Sequence, residues 1–165
     1  DPILTGTLMA YQARGLEENG VIATYKHLIA NNMEFERKSA HGIIDENTLR
    51  DLYLRVFDKA FSLYKPGCVM TSYNPVNGIY PCENSALLND LLRGEWGFDG
   101  FVMTDWGSYD TADSIRSVCA GTNLLTPGSK KHFHMILKAV KRNEISKAAL
   151  QHSVKQIVKV LVRCI

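Results

Sequence analysis

Four short apolar runs, Val21-Ile-Ala-Thr-Tyr, Cys68-Val-Met-Thr-Ser, Phe101-Val-Met-Thr and Asn123-Leu-Leu-Thr, alternate with longer stretches of helical periodicity. Strands of nearly continuous apolar character separated by helices predict a parallel sheet covered on both faces. Polar residues stand at the C-terminal end of each run: Lys26-His27, Tyr73-Asn74, Asp105-Trp106 and Thr126-Pro127. In a (β/α) barrel those ends form one mouth. The predicted fold class is therefore α/β, a partial (β/α) TIM-type barrel of about four parallel strands with covering helices. A closed barrel takes about 250 residues. The 165 residues are accordingly read as a single half-barrel fragment over 1–165, in preference to an open four-stranded sheet.

The elements follow in order. A first helix over about Thr5–Glu18 carries Leu8, Tyr11, Gln12 and Leu16 at helical spacing, and Asn19-Gly20 stops it. The first strand ends in Lys26-His27, and a polar loop runs from Asn31 to His41. Asp45 or a neighbour opens a long helix with Leu49, Leu52, Tyr53, Val56, Phe57 and Ala60 on one face, which Pro66-Gly67 breaks. After the second strand and a loop over 75–81, a helix from about Asn84 to Arg93 presents Leu87, Leu88, Leu91 and Leu92. Asp99-Gly100 turns into the third strand, with Trp96 and Phe98 as core anchors before it. Ser108–Ala120 reads as helical, and the fourth run follows. Helices over about Lys130–Arg142 and from Ser146 onward complete the chain, the last carrying Val154, Ile157, Val158 and Leu161.

Composition excludes several classes. The chain is 45% hydrophobic and 22% charged, ordinary for a globular domain with a core. A net charge of +2, from 19 dispersed basic and 17 acidic residues, supplies no groove for nucleic acid and no polybasic membrane patch. No apolar run approaches the roughly 20 residues of a membrane span. The four cysteines (Cys68, Cys82, Cys119, Cys164) form no Cys-x-x-Cys. They are read as free thiols, which favours a cytoplasmic location; a targeting segment ahead of Asp1 would change that expectation.

The most informative stretch is Arg93-Gly-Glu-Trp-Gly-Phe-Asp-Gly-Phe-Val-Met-Thr-Asp-Trp106. It delivers a carboxylate, Asp105, and an indole, Trp106, to a strand C-terminal end, where reacting groups collect in parallel α/β folds. An acid beside a flat aromatic face suits a sugar ring. The simpler alternative makes Asp105 a helix cap and Trp106 a packing residue. Elsewhere, Lys26 at a strand end could form a Schiff base. Thr126-Pro-Gly-Ser129 could receive a phosphate at a helix N-terminus, although a plain cap explains it. His132 and His134, two apart on a helix, point to different faces and do not chelate one metal. Glu83 is read as a helix-cap residue.

Several motifs together carry a family resemblance. Val69-Met-Thr-Ser-Tyr-Asn-Pro-Val-Asn-Gly78, Cys82-Glu-Asn and Leu91 through Trp106 resemble family three glycoside hydrolases, the β-glucosidase family. Lys26-His27 with Asn31-Asn32 is similar to that family's Lys-His loop. Asp1-Pro-Ile-Leu-Thr-Gly6 and Ala120-Gly-Thr-Asn-Leu-Leu-Thr-Pro-Gly128 resemble segments before and after it. The resemblance covers essentially the whole chain in order, and implies the second half of an N-terminal barrel domain.

The resemblance implies retaining hydrolysis of terminal β-D-glycosidic bonds. Asp105 would be the nucleophile, Lys26 and His27 would bond sugar hydroxyls, and Tyr73 would hold the nucleophile or the sugar. Met70 would lie against the ring, and Trp106 would stack on the leaving-group sugar. Glu34 and Arg37 would order the loop after Lys26. No metal or organic cofactor is implied. The expected partners are a β-linked glucoside or related oligosaccharide, together with a barrel half and a second domain supplying the general acid; neither nucleic acid nor membrane is expected. Retaining chemistry needs two carboxyl groups about 5 Å apart, and only one is named here, so the isolated chain is expected to be inactive. A non-catalytic remnant, or a sugar-binding or interaction module of the same barrel, is the alternative. Unpaired strand edges predict self-association. Met33, Asn123 and Thr126 depart from the family's common Gln, Asp and Met, and the first two are expected to loosen supporting hydrogen bonds.

Overall fold

The computed structural model describes residues 1–164, the side chain of Cys164 excepted. Three parallel strands, β1 (Thr24–Leu28), β2 (Cys68–Thr71) and β3 (Phe101–Thr104), lie in the order β1-β2-β3. β2 and β3 are in continuous register from Cys68↔Phe101 to Thr71↔Thr104, whereas β1 shifts register between Tyr25 and Leu28. Helices connect the parallel strands, giving an arc of a (β/α) barrel.

α1 (Pro2–Glu17) begins earlier than periodicity suggests. Asp1 caps it by accepting from the Leu4 amide at 2.8 Å, and Pro2 stands in the first turn, where its missing N–H costs nothing. The expected inward face is wrong for Leu8, Tyr11 and Leu16, which are all exposed. Gly6, Ala10 and Ala13 are buried instead. The reason is close helix approach. A Cβ on Gly6 would collide with the Val56 carbonyl oxygen and come within 2.9 Å of Lys59 Cβ, so only small residues fit and the large ones turn outward.

β1 also lies later than expected, so Lys26 and His27 sit within the strand, not beyond it. The lead-in residues bond to α1 as well as to the sheet: the Val21 amide donates to the Leu16 carbonyl at 3.1 Å, and the Ala23 carbonyl accepts from the Cys68 amide at 3.1 Å. The Glu17 carboxylate accepts from the amides of Ala23 (3.1 Å) and Gly67 (2.6 Å), tying the entrances of β1 and β2 to one helix end.

α2 (46–63) starts at Glu46 under an Asp45 cap, passes through a π-helical stretch at Leu49–Leu54 and ends at Leu63. Leu54, Phe57, Ala60 and Phe61 are buried, and Leu52 is exposed, contrary to its expected place on the inner face. α3 (Ala86–Glu95) is π-helical and buries Leu87, Leu88 and Leu92. Asn84 caps it through the Leu87 amide at 3.1 Å. Glu83 accepts from the Asp113 amide at 2.5 Å, so it anchors the cap of the next helix instead of capping its own.

The expected helix over 108–120 is split. A 3-10 turn at Ser108–Asp110 precedes α4 (Ser114–Cys119), because Asp113 caps the amides of Ile115 and Arg116 at 2.8 Å each. The expected fourth strand reduces to one parallel bridge, Met103↔Leu124. Asn123 is the cause: its side-chain oxygen takes the Val102 amide at 2.7 Å, which a ladder would otherwise use, and Pro127 soon removes a donor.

α5 (Lys130–Lys141) and α6 (Lys147–Leu161) are capped by Ser129 and Ser146. On α6 the expected apolar face is again displaced: Val154, Val158 and Leu161 are exposed, and Ser153 and Val160 are buried. Val160 and Ile157 pack with Cys68, Phe101 and Met103 on one face of the sheet. The main core lies on the other face, joining Val69 and Val102 to α1, α2 and α3. Phe61 is central there, stacked on Trp96 at 5.3 Å and edge-on to Tyr25 and Phe98. Cys68, Cys82 and Cys119 are free thiols; the Cys164 side chain lies outside the described residues. No helix of the described residues is long and apolar enough to cross a membrane.

Candidate active site

The C-terminal ends of β1 and β3 bring a carboxylate and an imidazole together. Asp105 follows β3 directly, and its Oδ2 lies 3.3 Å from His27 Nε2 on β1. Its Oδ1 accepts from the Trp106 amide at 2.7 Å. Burial lowers the His27 pKa from 6.5, and the Lys26 charge adds to this while the Asp105 charge opposes it. The ring is then neutral around pH 7 and can donate from Nε2 to the carboxylate.

Tyr73, buried after β2, donates its hydroxyl to the Trp106 carbonyl. Burial first, then the Asp105 charge, raises the Tyr73 pKa, so the phenol keeps its proton. The Arg37 guanidinium lies 4.7 Å from the Tyr73 ring centroid and pairs with Glu34 at 2.8 Å. Lys38 stands 5.4 Å from the same centroid. Trp106 is 63% exposed, so it is not a core residue, and Asp113, not Asp105, caps the next helix.

Of the residues singled out from sequence, His27, Tyr73, Asp105 and Trp106 form one contiguous group, with Arg37 and Glu34 behind Tyr73. Lys26 is exposed and shares a cavity of about 510 Å³ with His27, Asn31, Asn32 and Tyr53. Met70 is half-buried on β2, opposite Met103 in register. Sequence reading places Asn32 in the Lys-His loop without a role of its own and does not single out Lys38. Asn32 donates to the Tyr53 hydroxyl at 2.6 Å and lines that cavity. Lys38 pairs with Asp110 at 2.6 Å across 72 residues of sequence, a separation no local pattern reveals.

The departures at Asn123 and Thr126 leave no loose bonds. Asn123 Oδ1 accepts from Arg93 at 2.8 Å as well as from Val102, and its Nδ2 donates to Ser153 at 3.1 Å. Thr126 donates to the Thr104 carbonyl. Met33 is exposed.

The model of the glycosyl hydrolase family 3 N-terminal domain matches residues 1–160. The chain belongs to glycosyl hydrolase family 3. It is 37% identical over 163 residues to the Aspergillus fumigatus protein named "Probable beta-glucosidase J", covering 98% of this chain and 18% of that one. It is equally similar to "Probable beta-glucosidase I" of Aspergillus oryzae, of which it covers 19%. Among solved structures, beta-glucosidase 3B from Thermotoga neapolitana in complex with glucose superposes with a TM-score of 0.93 at 38% identity, over 99% of this chain and 24% of that one. DesR, a beta-glucosidase from Streptomyces venezuelae in complex with D-glucose, gives 0.91 at 29% identity, over 99% and 22%. The family 3 chain thus spans about a fifth of the length of the curated relatives it matches.

Proposed function

We propose that these 165 residues are the C-terminal half of the barrel domain of a retaining β-glucosidase. The observation that carries the reading is the Asp105 carboxylate at the end of β3, reached by His27 Nε2 at 3.3 Å and flanked by an exposed Trp106 indole. Asp105 attacks the anomeric carbon, and water then hydrolyses the glycosyl-enzyme. Neutral His27 donates either to the carboxylate or to a sugar hydroxyl, which holds the attacking oxygen in place. Lys26 and Met70 contact the sugar bound beside Asp105, and Trp106 offers a flat face to the leaving group. Tyr73, with Glu34 and Arg37 behind it, fixes the backbone that presents the carboxylate. The general acid and the rest of the barrel come from sequence outside these residues, so the chain alone binds weakly and turns over little or nothing. The nearness of the relatives' names supports a β-glucoside as substrate.

The test is mass spectrometry after incubation with an activated 2-fluoro-glucoside, on the chain alone and on the full-length protein carrying it. A glucosyl adduct on Asp105 in the full-length protein only is the expected result. An adduct on the isolated chain would show that the half barrel completes a site by itself. No adduct in either would leave a non-catalytic remnant.

A further inference from the structure

Trp106 is largely exposed, so the position of its indole depends chiefly on its backbone. That backbone is held at successive points, among them the Gly107 amide, which donates to the Thr126 carbonyl at 2.9 Å. The Trp106 amide donates to Asp105 Oδ1, the Trp106 carbonyl accepts from Tyr73, and the Gly107 carbonyl accepts from Lys38 Nζ at 3.2 Å. Lys38 also pairs with Asp110 at 2.6 Å, on the 3-10 turn that follows. The loop carrying Lys38 is tied in turn to the loop after β2, since its carbonyl accepts from the Tyr80 hydroxyl at 3.3 Å. Gly107 shows how closely the ammonium approaches. Its φ of +78° favours glycine, and a Cβ there would stand 3.2 Å from Lys38 Nζ and 3.3 Å from Asp110 Oδ2.

We propose that Lys38, through Gly107 and Asp110, is a positioning residue for the leaving-group side of the site. It locks the 107–110 segment that follows Trp106, so that the indole stands ready before substrate arrives. This rests on the β-glucosidase reading above. In a retaining mechanism the leaving group is present during glycosylation and gone during deglycosylation. A latch on Trp106 therefore acts on kcat/KM for aryl glucosides, and leaves the hydrolysis of the glucosyl-enzyme by water unaltered.

The test uses the full-length protein with Lys38→Met, which keeps the aliphatic stem, and Lys38→Arg, which keeps the charge. Lys38→Met is expected to lower kcat/KM for an aryl β-glucoside roughly tenfold, as loss of a charge-assisted hydrogen bond does. Reactivation of the 2-fluoroglucosyl-enzyme by water is expected to stay within about twofold of the unsubstituted rate, and Lys38→Arg to recover most of kcat/KM. Hydrogen exchange read by mass spectrometry is expected to be faster in the peptide over 105–112 for Lys38→Met alone. Unchanged exchange there would overturn the latch. So would an equal loss in both chemical steps, which marks a general structural role. Failure of the unsubstituted protein to label at Asp105 would instead overturn the glucosidase reading, and Lys38's part in it, independently of the exchange result.

Discussion

Asn123 offers a sharp quantitative test of how this sheet is held. The Arg93 guanidinium is largely buried, and burial lowers its pKa, yet its hydrogen-bond partners are neutral: the Gly100 carbonyl at 3.0 Å and Asn123 Oδ1 at 2.8 Å. Asn123→Asp puts a carboxylate in the same place. The bonds from Arg93 and the Val102 amide become charge-assisted, each rising from about 1 kcal/mol toward 1.5–3 kcal/mol. Against this stand the desolvation of the carboxylate and the reversal of the Ser153 contact. Ser153 must turn its proton toward the new oxygen and give up its weak 3.3 Å bond to the Asn123 carbonyl. The net expectation is a stabilisation of about 1 kcal/mol at pH 7, a rise in Tm of roughly 2–4 °C for a chain of this size. The sign with pH follows from a depressed carboxyl pKa. The gain is present above the unfolded value of about 3.9 and is lost as pH falls through the lower folded value. Calorimetry of both proteins from pH 7 to pH 3 measures it. A lower Tm for Asn123→Asp at pH 7, or a difference that persists unchanged at pH 3, would refute the reasoning.

Other expectations follow from single contacts. Gly6→Leu must separate α1 from α2, because the new side chain meets the Val56 carbonyl; urea titration should show a loss of about 1–3 kcal/mol, more than for Leu8→Ala on the exposed face. His27 has a folded pKa below 6.5, so its contribution to stability is complete above 6.5 and declines as pH falls through the folded value. His27→Asn should flatten that part of the stability profile, and an unchanged slope would assign it elsewhere. Sedimentation of the isolated chain should show self-association through the unpaired β1 edge and the exposed Leu4, Leu8 and Tyr11; Leu8→Lys with Tyr11→Lys should shift it toward monomer. A monodisperse unsubstituted monomer would contradict this.

The alternation of strands and helices, the parallel α/β class, and the pairing of Asp105 with Trp106 at a strand end were all legible in the sequence. These are properties of short windows: apolar runs, Asp-Gly and Pro-Gly breaks, and motifs contiguous in the chain. The family resemblance extended the reading to His27 and Tyr73, which β1 and β2 place around the same carboxylate. Which side of each helix faces in depends on the packing of distant segments. Periodicity marks Leu8, Tyr11, Val154 and Val158 as inward, but burial depends on how closely two backbones approach, and Gly6, Ala10 and Ala13 permit a contact that leucines would prevent. The fourth strand failed for a related reason, since one side-chain oxygen of Asn123 replaced a ladder bond. Lys38 and Asp110 lie far apart in sequence and meet only because β1 and β3 carry their loops to one mouth. Local patterns record what a residue prefers, and the packing of distant backbones decides what it touches.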